Sequence, residues 1–186
     1  MSGIWDAPIK GKTLLKGALV LLAGFAAAIC ALETLIYFQM RPLKEGRIIA
    51  DFQGHRAAYE RLREMILADQ QVEEVSMKGV ETPAAPLPWN PSEVNFPLAR
   101  YREYMAILRN IDKGAVFRAE EKQAKLVCVG VWGAGWAGDT RHQWVCWSSS
   151  EPGNQVASLD DYYRNPKRSR NVFRHIEGNW YLRADW

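Results

Sequence analysis

Two segments, KLVCVGVW (Lys125–Trp132) and QWVCW (Gln143–Trp147), decide the fold of the C-terminal part of the chain. Both are short, apolar and rich in β-branched and aromatic residues, which predicts two strands joined by a glycine-rich hairpin loop over 133–141. A hairpin symmetric about Ala137 places Gly130 opposite Trp144, where the bare glycine leaves room for the indole. The same symmetry places Val129 opposite Val145.

This register also sets Cys128 opposite Cys146. Directly opposed residues of a non-hydrogen-bonded antiparallel pair have Cα atoms about 4.5–5.5 Å apart, a distance that a disulfide can bridge. We therefore predict a Cys128–Cys146 disulfide. Two reduced, buried cysteines are the alternative, expected if the domain is cytoplasmic.

The alternating pattern continues on both sides of this hairpin. Gly178-Asn179 is a two-residue turn between a pair of further strands, and it predicts that Glu177 faces Trp180, His175 faces Leu182 and Phe173 faces Ala184. His175 then lies on the apolar face, where we interpret it as a core residue. The further predicted strands are Val72–Val80, Ala115–Ala119, Val172–Glu177 and Trp180–Trp186.

Helical spacing appears in two segments before these strands. Apolar residues spaced three and four apart predict a helix over Lys44–Asp69, with His55 on its buried stripe, and a second helix from Asn95 to Ile111 whose buried face includes Leu98 and Tyr101. Between them, 82–97 is a proline-rich connector in which Leu87 and Trp89 are expected to pack on the core. The predicted fold class is α+β, with two helices and a mainly antiparallel sheet of five to six strands.

An uncharged stretch near the N-terminus, GALVLLAGFAAAICAL (Gly17–Leu32), predicts a membrane span. Extended to Phe38, it is long enough as a helix to cross a hydrocarbon core of about 30 Å. The expected organisation is a cytoplasmic tail (1–13), a transmembrane helix (14–40) and one domain (41–186) outside the cytoplasm. The basic residues on the two sides nearly balance, so the orientation follows from the short N-terminal tail. A cleaved signal peptide is the alternative.

Composition excludes several classes of protein. The 24 basic and 21 acidic residues give a formal net charge of +3, which does not indicate a nucleic-acid-binding domain. The three cysteines have no metal-ligand spacing, and no nucleotide-binding or hydrolase motif occurs. We expect no metal, no cofactor and no recognisable catalytic residues.

Two features are candidate binding sites. Four tryptophans cluster around the predicted hairpin, where they would either stack on a ligand or pack in the core. A basic run follows Tyr162-Tyr163 and would either contact anionic lipid head groups or be a solvated loop. The residues are Trp132, Trp136, Trp144 and Trp147 in the first feature, and Arg164, Lys167, Arg168 and Arg170 in the second.

The favoured function is a single-pass, membrane-anchored, extracytoplasmic binding or accessory domain whose partner is another envelope protein. One alternative is an envelope-acting hydrolase, for which His142, His175 and Asp160-Asp161 are the candidates. The other is an assembly subunit or homo-oligomer acting through its membrane helix, where Gly17, Gly24 and Ala31 form a stripe of small residues.

Three segments, HRAAYERLREMILAD (55–69), ARYREYMAILRNI (99–111) and FRHIEGNWYLRADW (173–186), resemble small membrane-associated bacterial proteins. The closing EGNWYL is the most specific of these matches. The resemblance implies a bacterial envelope location and supports the placement of the helices and strands. It implies no activity, cofactor or site residue.

Overall fold

A computed structural model describes residues 11–39, 41–121, 124–136, 139–164 and 171–185. The chain divides into two compact units, 1–41 and 42–186. The described part of the first unit is one helix of 29 residues, α1 (Gly11–Gln39), which leaves large apolar side chains such as Leu21 (76% exposed) and Phe25 (68%) uncovered. Across the described residues, no helix reaches the combination of length and apolar character that crossing a bilayer requires.

The second unit is an α+β domain built on one antiparallel sheet of eight strands, which confirms the predicted fold class but exceeds the predicted strand number. The sheet order is β3-β2-β1-β4-β5-β6-β8-β7. Within the described part of the domain, four helices accompany it. The elements are α2 (Glu45–Gly54), α3 (Arg56–Ala68), β1 (Glu74–Ser76), β2 (Gly79–Thr82), β3 (Ala85–Trp89), α4 (Leu98–Asn110), β4 (Ala115–Glu121), β5 (Ala124–Trp136), β6 (Asp139–Ser148), α5 (Leu159–Arg164), β7 (Asn171–Glu177) and β8 (Trp180–Asp185).

The main core lies between the helices and one face of the sheet, here called the inner face. Side chains at alternate strand positions, among them Val129, Val145 and Leu182, meet buried residues of α2, α3 and α4. Trp180 is 1% exposed and its ring packs 5.1 Å from Phe52. The opposite side of the same strands is called the outer face.

Both helical predictions needed correction. The first helix breaks at His55 into α2 and α3, and His55 is half-buried, with its Nδ1 3.0 Å from the carbonyl oxygen of Asp51, so it is not a core residue. In α4 the buried residues are Tyr104, Met105 and Leu108, whereas Leu98 is exposed. The buried stripe starts one turn later than predicted because Leu98 is the first residue of the helix.

The segment predicted as one strand, Val72–Val80, is a hairpin of β1 and β2. Its turn includes Gly79, whose φ of +144° and close approach to Trp89 exclude a side chain, since a Cβ would lie 2.2 Å from the Trp89 carbonyl oxygen. The proline-rich connector contributes β3, an edge strand, where prolines without N–H groups are tolerated. Trp89 is 43% exposed, so its predicted packing on the core is wrong.

The central hairpin has the predicted register. Val129, Cys128 and Gly130 lie opposite Val145, Cys146 and Trp144, respectively. A Cβ on Gly130 would lie 3.9 Å from the Cδ1 of the Trp144 indole, an ordinary van der Waals contact, so the ring does not depend on the bare glycine as predicted. The strands continue to Trp136 and Asp139, however, so most of the predicted loop is paired strand.

The last hairpin turns at Gly178-Asn179 as predicted, with Gly178 at a φ of +51° and Glu177 opposite Trp180. An irregularity between His175 and Glu177 then shifts the register by one residue. His175 therefore pairs with Tyr181, and Phe173 pairs with Arg183. The predicted pairs His175–Leu182 and Phe173–Ala184 are wrong, and His175 is exposed on the outer face.

Candidate binding face on the outer side of the sheet

The outer face carries the most distinctive grouping of side chains in the domain, arranged in cross-strand rows. Because directly paired residues point to the same side of a sheet, the register assigns each row without ambiguity. One row is His142–Asp185–Asn171, the next is Gly130–Trp144–Arg183–Phe173, and the third is Phe117–Cys128–Cys146–Tyr181–His175.

The third row contains the disulfide. The Sγ atoms of Cys128 and Cys146 are 2.08 Å apart and the Cα atoms 4.1 Å apart, so the predicted cysteine pair is present. Both cysteines are completely buried, and they pack with Leu126, Phe173 and Tyr181 in a small second core. Trp144, on the outer face, packs against this small core.

The middle row is a stack of aromatic rings and one cation. The Arg183 guanidinium lies over the indole of Trp144, 5.1 Å from its centroid, and 5.7 Å from the centroid of Phe173. Phe117 meets Trp144 edge-on at 5.9 Å. Cation–π contacts of this kind fix the direction of a long side chain that would otherwise sample many rotamers.

The first row adds a histidine–carboxylate pair. The Asp185 Oδ1 accepts the backbone N–H of His142 at 3.0 Å and lies 3.2 Å from its Nδ1. The imidazole stacks on Trp144 with centroids 5.1 Å apart. Such a pair orients an imidazole, but its hydrogen-bonding and stacking partners in the described chain are Asp185 and Trp144, and neither carries a hydroxyl or thiol that the imidazole could deprotonate.

The segment 150–156 covers the edge of the sheet beside this face. The Phe173 N–H donates to the Asn154 carbonyl, and the Val156 N–H donates to the Phe173 carbonyl at 2.8 Å. Burial raises the pKa of the Tyr181 hydroxyl, and the negative charge of Glu151 raises it further. Tyr181, which is 6% exposed, is therefore a buried residue of the small second core that keeps its proton.

The four predicted tryptophans do not form one surface. Trp144 lies on the outer face, whereas Trp147 packs against the main core on the inner face beneath the Arg63 guanidinium. Trp132 is opposite Gln143 and so shares the inner face with Trp147. Trp136 pairs with Asp139 at the end of the hairpin, and its side chain is outside the described part of the structure.

The remaining predicted residues are dispersed. Arg164 is at the end of α5, where it pairs with Asp161, and Lys167, Arg168 and Arg170 lie outside the described residues. Asp160 accepts the backbone N–H of Glu45 instead of pairing with Asp161. Among the residues described, no group of three or more His, Cys, Asp or Glu side chains could hold a metal ion.

A second group of polar contacts holds the first residues of the domain in place. The side-chain amide of Gln143, 1% exposed, accepts the Leu43 N–H at 2.8 Å and donates to the Leu43 carbonyl at 3.0 Å. The Glu45 carboxylate accepts the Leu159 N–H at 2.8 Å at the start of α5. The first residues of the domain are therefore held to β6 and α5 by buried polar contacts.

Sequence reasoning missed the role of Arg183 and Asp185. The register error in the last hairpin put Phe173 and Arg183 on different faces. The pairing of β6 with β8 was not considered, although the alternation Tyr181-Arg183-Asp185 is the signal that places three polar-tipped side chains on one face.

Comparisons with known proteins give no identification, since no family model, curated protein or solved structure matches the chain.

Proposed function

We propose that this chain is a single-pass membrane-anchored protein whose domain lies outside the cytoplasm and binds another envelope protein through the outer face of its sheet. The observation that carries the proposal is the middle row of that face, where the half-buried Trp144 and Arg183 stack beside the buried Phe173 and Tyr181. Tryptophan, tyrosine and arginine are the residues that contribute most of the binding energy at protein interfaces.

Several features support the membrane anchor and the orientation. Gly17–Leu32 has no charge, and α1 leaves large apolar side chains uncovered, as an anchor in lipid requires. The cysteines at bonding distance favour an oxidising compartment, because disulfides persist outside the cytoplasm. A location in the cytoplasmic membrane with the domain facing the periplasm or exterior fits both features.

Binding is favoured over catalysis because the outer face is a supported, ordered platform, and the imidazole of its histidine–carboxylate pair contacts Asp185 and Trp144, neither of which carries a hydroxyl or thiol for it to activate. A hydrolase using His142, His175 or Asp160-Asp161 would need these groups in one place, and they lie on different elements with separate partners. The contribution of the basic run and of the small-residue stripe stays a prediction, since either could assist through lipid or helix contacts.

The binding role is tested by capture from detergent-solubilised membranes with the full chain as bait. Trp144→Ala should abolish recovery of the partner that the wild type retains. Trp89→Ala is the matched control, because it removes an equally large, exposed indole from the opposite end of the sheet. Equal recovery with wild type and Trp144→Ala would refute binding through the outer face.

The orientation has a separate test. A reporter fused after Trp186 should be active only in a form that works outside the cytoplasm. Activity of a reporter that works only in the cytoplasm would contradict the anchor orientation. The proposal that the outer face binds a partner would then depend on the capture experiment alone.

A further inference from the structure

Among the described residues of the domain, Arg183 differs from the other arginines that stack on aromatic rings. Arg56, Arg63 and Arg100 lie over Phe52, Trp147 and Tyr104, respectively. Each of these three also pairs with carboxylates: Arg56 with Glu60 and Glu177, Arg63 with Glu60 and Glu64, and Arg100 with Asp69 and Glu103.

Arg183 stacks on two rings, Trp144 and Phe173, yet no described residue accepts a hydrogen bond from its guanidinium. Its Nε is buried without a partner. The carboxylate nearest in the rows, Asp185, is taken up by the backbone N–H and the Nδ1 of His142. The contrast is therefore between three stacked arginines with an anionic partner and one without.

An arginine that is held by stacking and has no anionic partner is preorganised to bind an anion from another molecule. The guanidinium is permanently charged and presents a planar fork of donors that matches a carboxylate in a bidentate pair. Stacking between Trp144 and Phe173 holds the fork in place, so little side-chain entropy remains to be lost on binding. Neighbouring aromatic surface would exclude water from the pair and strengthen it.

We propose that Arg183 is the receptor for a carboxylate presented by an acidic segment of the protein partner; this inference rests on the proposed function of the outer face. A carboxylate suits the site better than a phosphate dianion, because one guanidinium is available and the Asp185 carboxylate occupies the adjacent row. A polypeptide suits the site better than a small molecule. Small molecules bind in concave pockets, whereas these rows form a sheet surface that a protein partner can cover.

The lipid alternative has a weaker basis. Binding of anionic head groups relies on several basic residues close together, as in polybasic segments. The cross-strand rows hold one arginine, with His142 paired to Asp185 and His175 hydrogen-bonded to the Gly178 carbonyl at 2.8 Å. One stacked fork with aromatic neighbours is instead the arrangement of an interface hot spot.

The test uses the full chain in detergent and a displayed library of random twelve-residue peptides as the probe. Peptides selected on the wild type should share an aspartate or glutamate. Replacing that residue by its amide in a synthetic peptide should weaken binding at least about tenfold, as loss of a charged hydrogen-bonding partner does. Arg183→Gln should weaken binding of the acidic peptide equally and leave the affinity for the amide peptide unchanged.

Two further variants keep the result interpretable. Arg183→Lys keeps the charge but loses the fork and should recover only part of the affinity. Arg102→Gln, at an exposed arginine on α4, should change nothing. An unchanged thermal unfolding midpoint and an intact Cys128–Cys146 disulfide establish that the Arg183 variants are folded.

The alternatives give distinct outcomes. Enrichment of peptides without acidic residues, failure to enrich any peptide, or equal binding of acidic peptides to Arg183→Gln would refute the carboxylate receptor. Arg183-dependent binding to phosphatidylglycerol vesicles in the absence of peptide binding would identify a lipid site instead. If partner capture is lost in Trp144→Ala but retained in Arg183→Gln, the outer face still binds and only the carboxylate inference fails.

Discussion

The two faces of the sheet are stabilised in different ways, although the same strands form both. The inner face is covered by α2, α3 and α4 and is composed of aliphatic and aromatic side chains such as Val145 and Leu182. The outer face has a small core of its own, centred on the Cys128–Cys146 disulfide, and above it lies the row of Trp144, Arg183 and Phe173. Stability on the inner face comes from burial under the helices, and on the outer face from a covalent link together with the burial of its small core.

This difference has a functional consequence. A face that is covered by helices cannot meet a partner, whereas a face held by a disulfide remains uncovered and can keep aromatic and charged side chains ordered. The predicted alternation of apolar and polar residues along each strand is typical of half-exposed sheets. Here aromatic rings and a cation replace the polar side, and the proposal of a binding face rests on this departure.

The largest expected effect is on the inner face. Trp180 is completely buried against Phe52 and Tyr59 and donates its indole N–H to Glu60 at 2.9 Å. Trp180→Ala should lower the free energy of unfolding by about 3–5 kcal/mol, measured by urea titration of the full chain. Trp144→Ala on the outer face should cost less than about 2 kcal/mol, because that ring is only half-buried. Equal losses would remove the distinction between the faces.

The disulfide should give the next largest effect. Replacing Cys128 and Cys146 together by serine opens a link between residues 18 apart and should lower the free energy of unfolding by about 3 kcal/mol. Reduction of the wild type should produce the same loss, and Cys30→Ser, outside the domain, should produce none. Two free thiols on the mature protein, detected by mass spectrometry after alkylation of intact membranes, would contradict the proposed extracytoplasmic orientation.

The central hairpin was predictable because its residues constrain one another. Val129, Cys128 and Gly130 match Val145, Cys146 and Trp144 only in one register, and a slip by one residue would turn every side chain to the other face. The predicted α+β class and the Gly178-Asn179 turn follow from similarly local patterns.

The rest depended on features that a single sequence does not display. The irregularity before Glu177 inserts one residue into β7, and nothing in the local composition marks it. The polar contacts between Gln143 and Leu43 join residues 100 positions apart. The candidate site could not be predicted for the same reasons. The row of Trp144, Arg183 and Phe173 forms only when β6, β7 and β8 pair in one sheet.

The polar contact at Gln143 gives a third, smaller expected effect, on the inner face. Gln143→Leu would leave the Leu43 N–H and carbonyl without their protein partner and should lower the free energy of unfolding by about 2 kcal/mol. Hydrogen exchange should show faster exchange at the Leu43 amide. Gln155→Leu is the control, because Gln155 is exposed beside the outer face and its loss should be close to neutral. Unchanged exchange at Leu43 would show that Gln143 does not hold the start of the domain.

The smallest effect distinguishes the faces by pH. The pKa of the Tyr104 hydroxyl is raised well above its usual value, first by burial under the inner face and then by its hydrogen bond to Asp69. The folded state therefore keeps this proton, whereas the unfolded state loses it above pH about 10. The free energy of unfolding should consequently fall as pH rises above about 10, by up to about 1.4 kcal/mol per pH unit for this group. The charged groups facing this hydroxyl are Asp69, Arg100 and Glu103. Tyr104→Phe should make the alkaline slope of a urea-unfolding series shallower, and Tyr181→Phe on the outer face should do so less. An identical slope in wild type and Tyr104→Phe would mean that the hydroxyl ionises freely and that burial under the helices is incomplete.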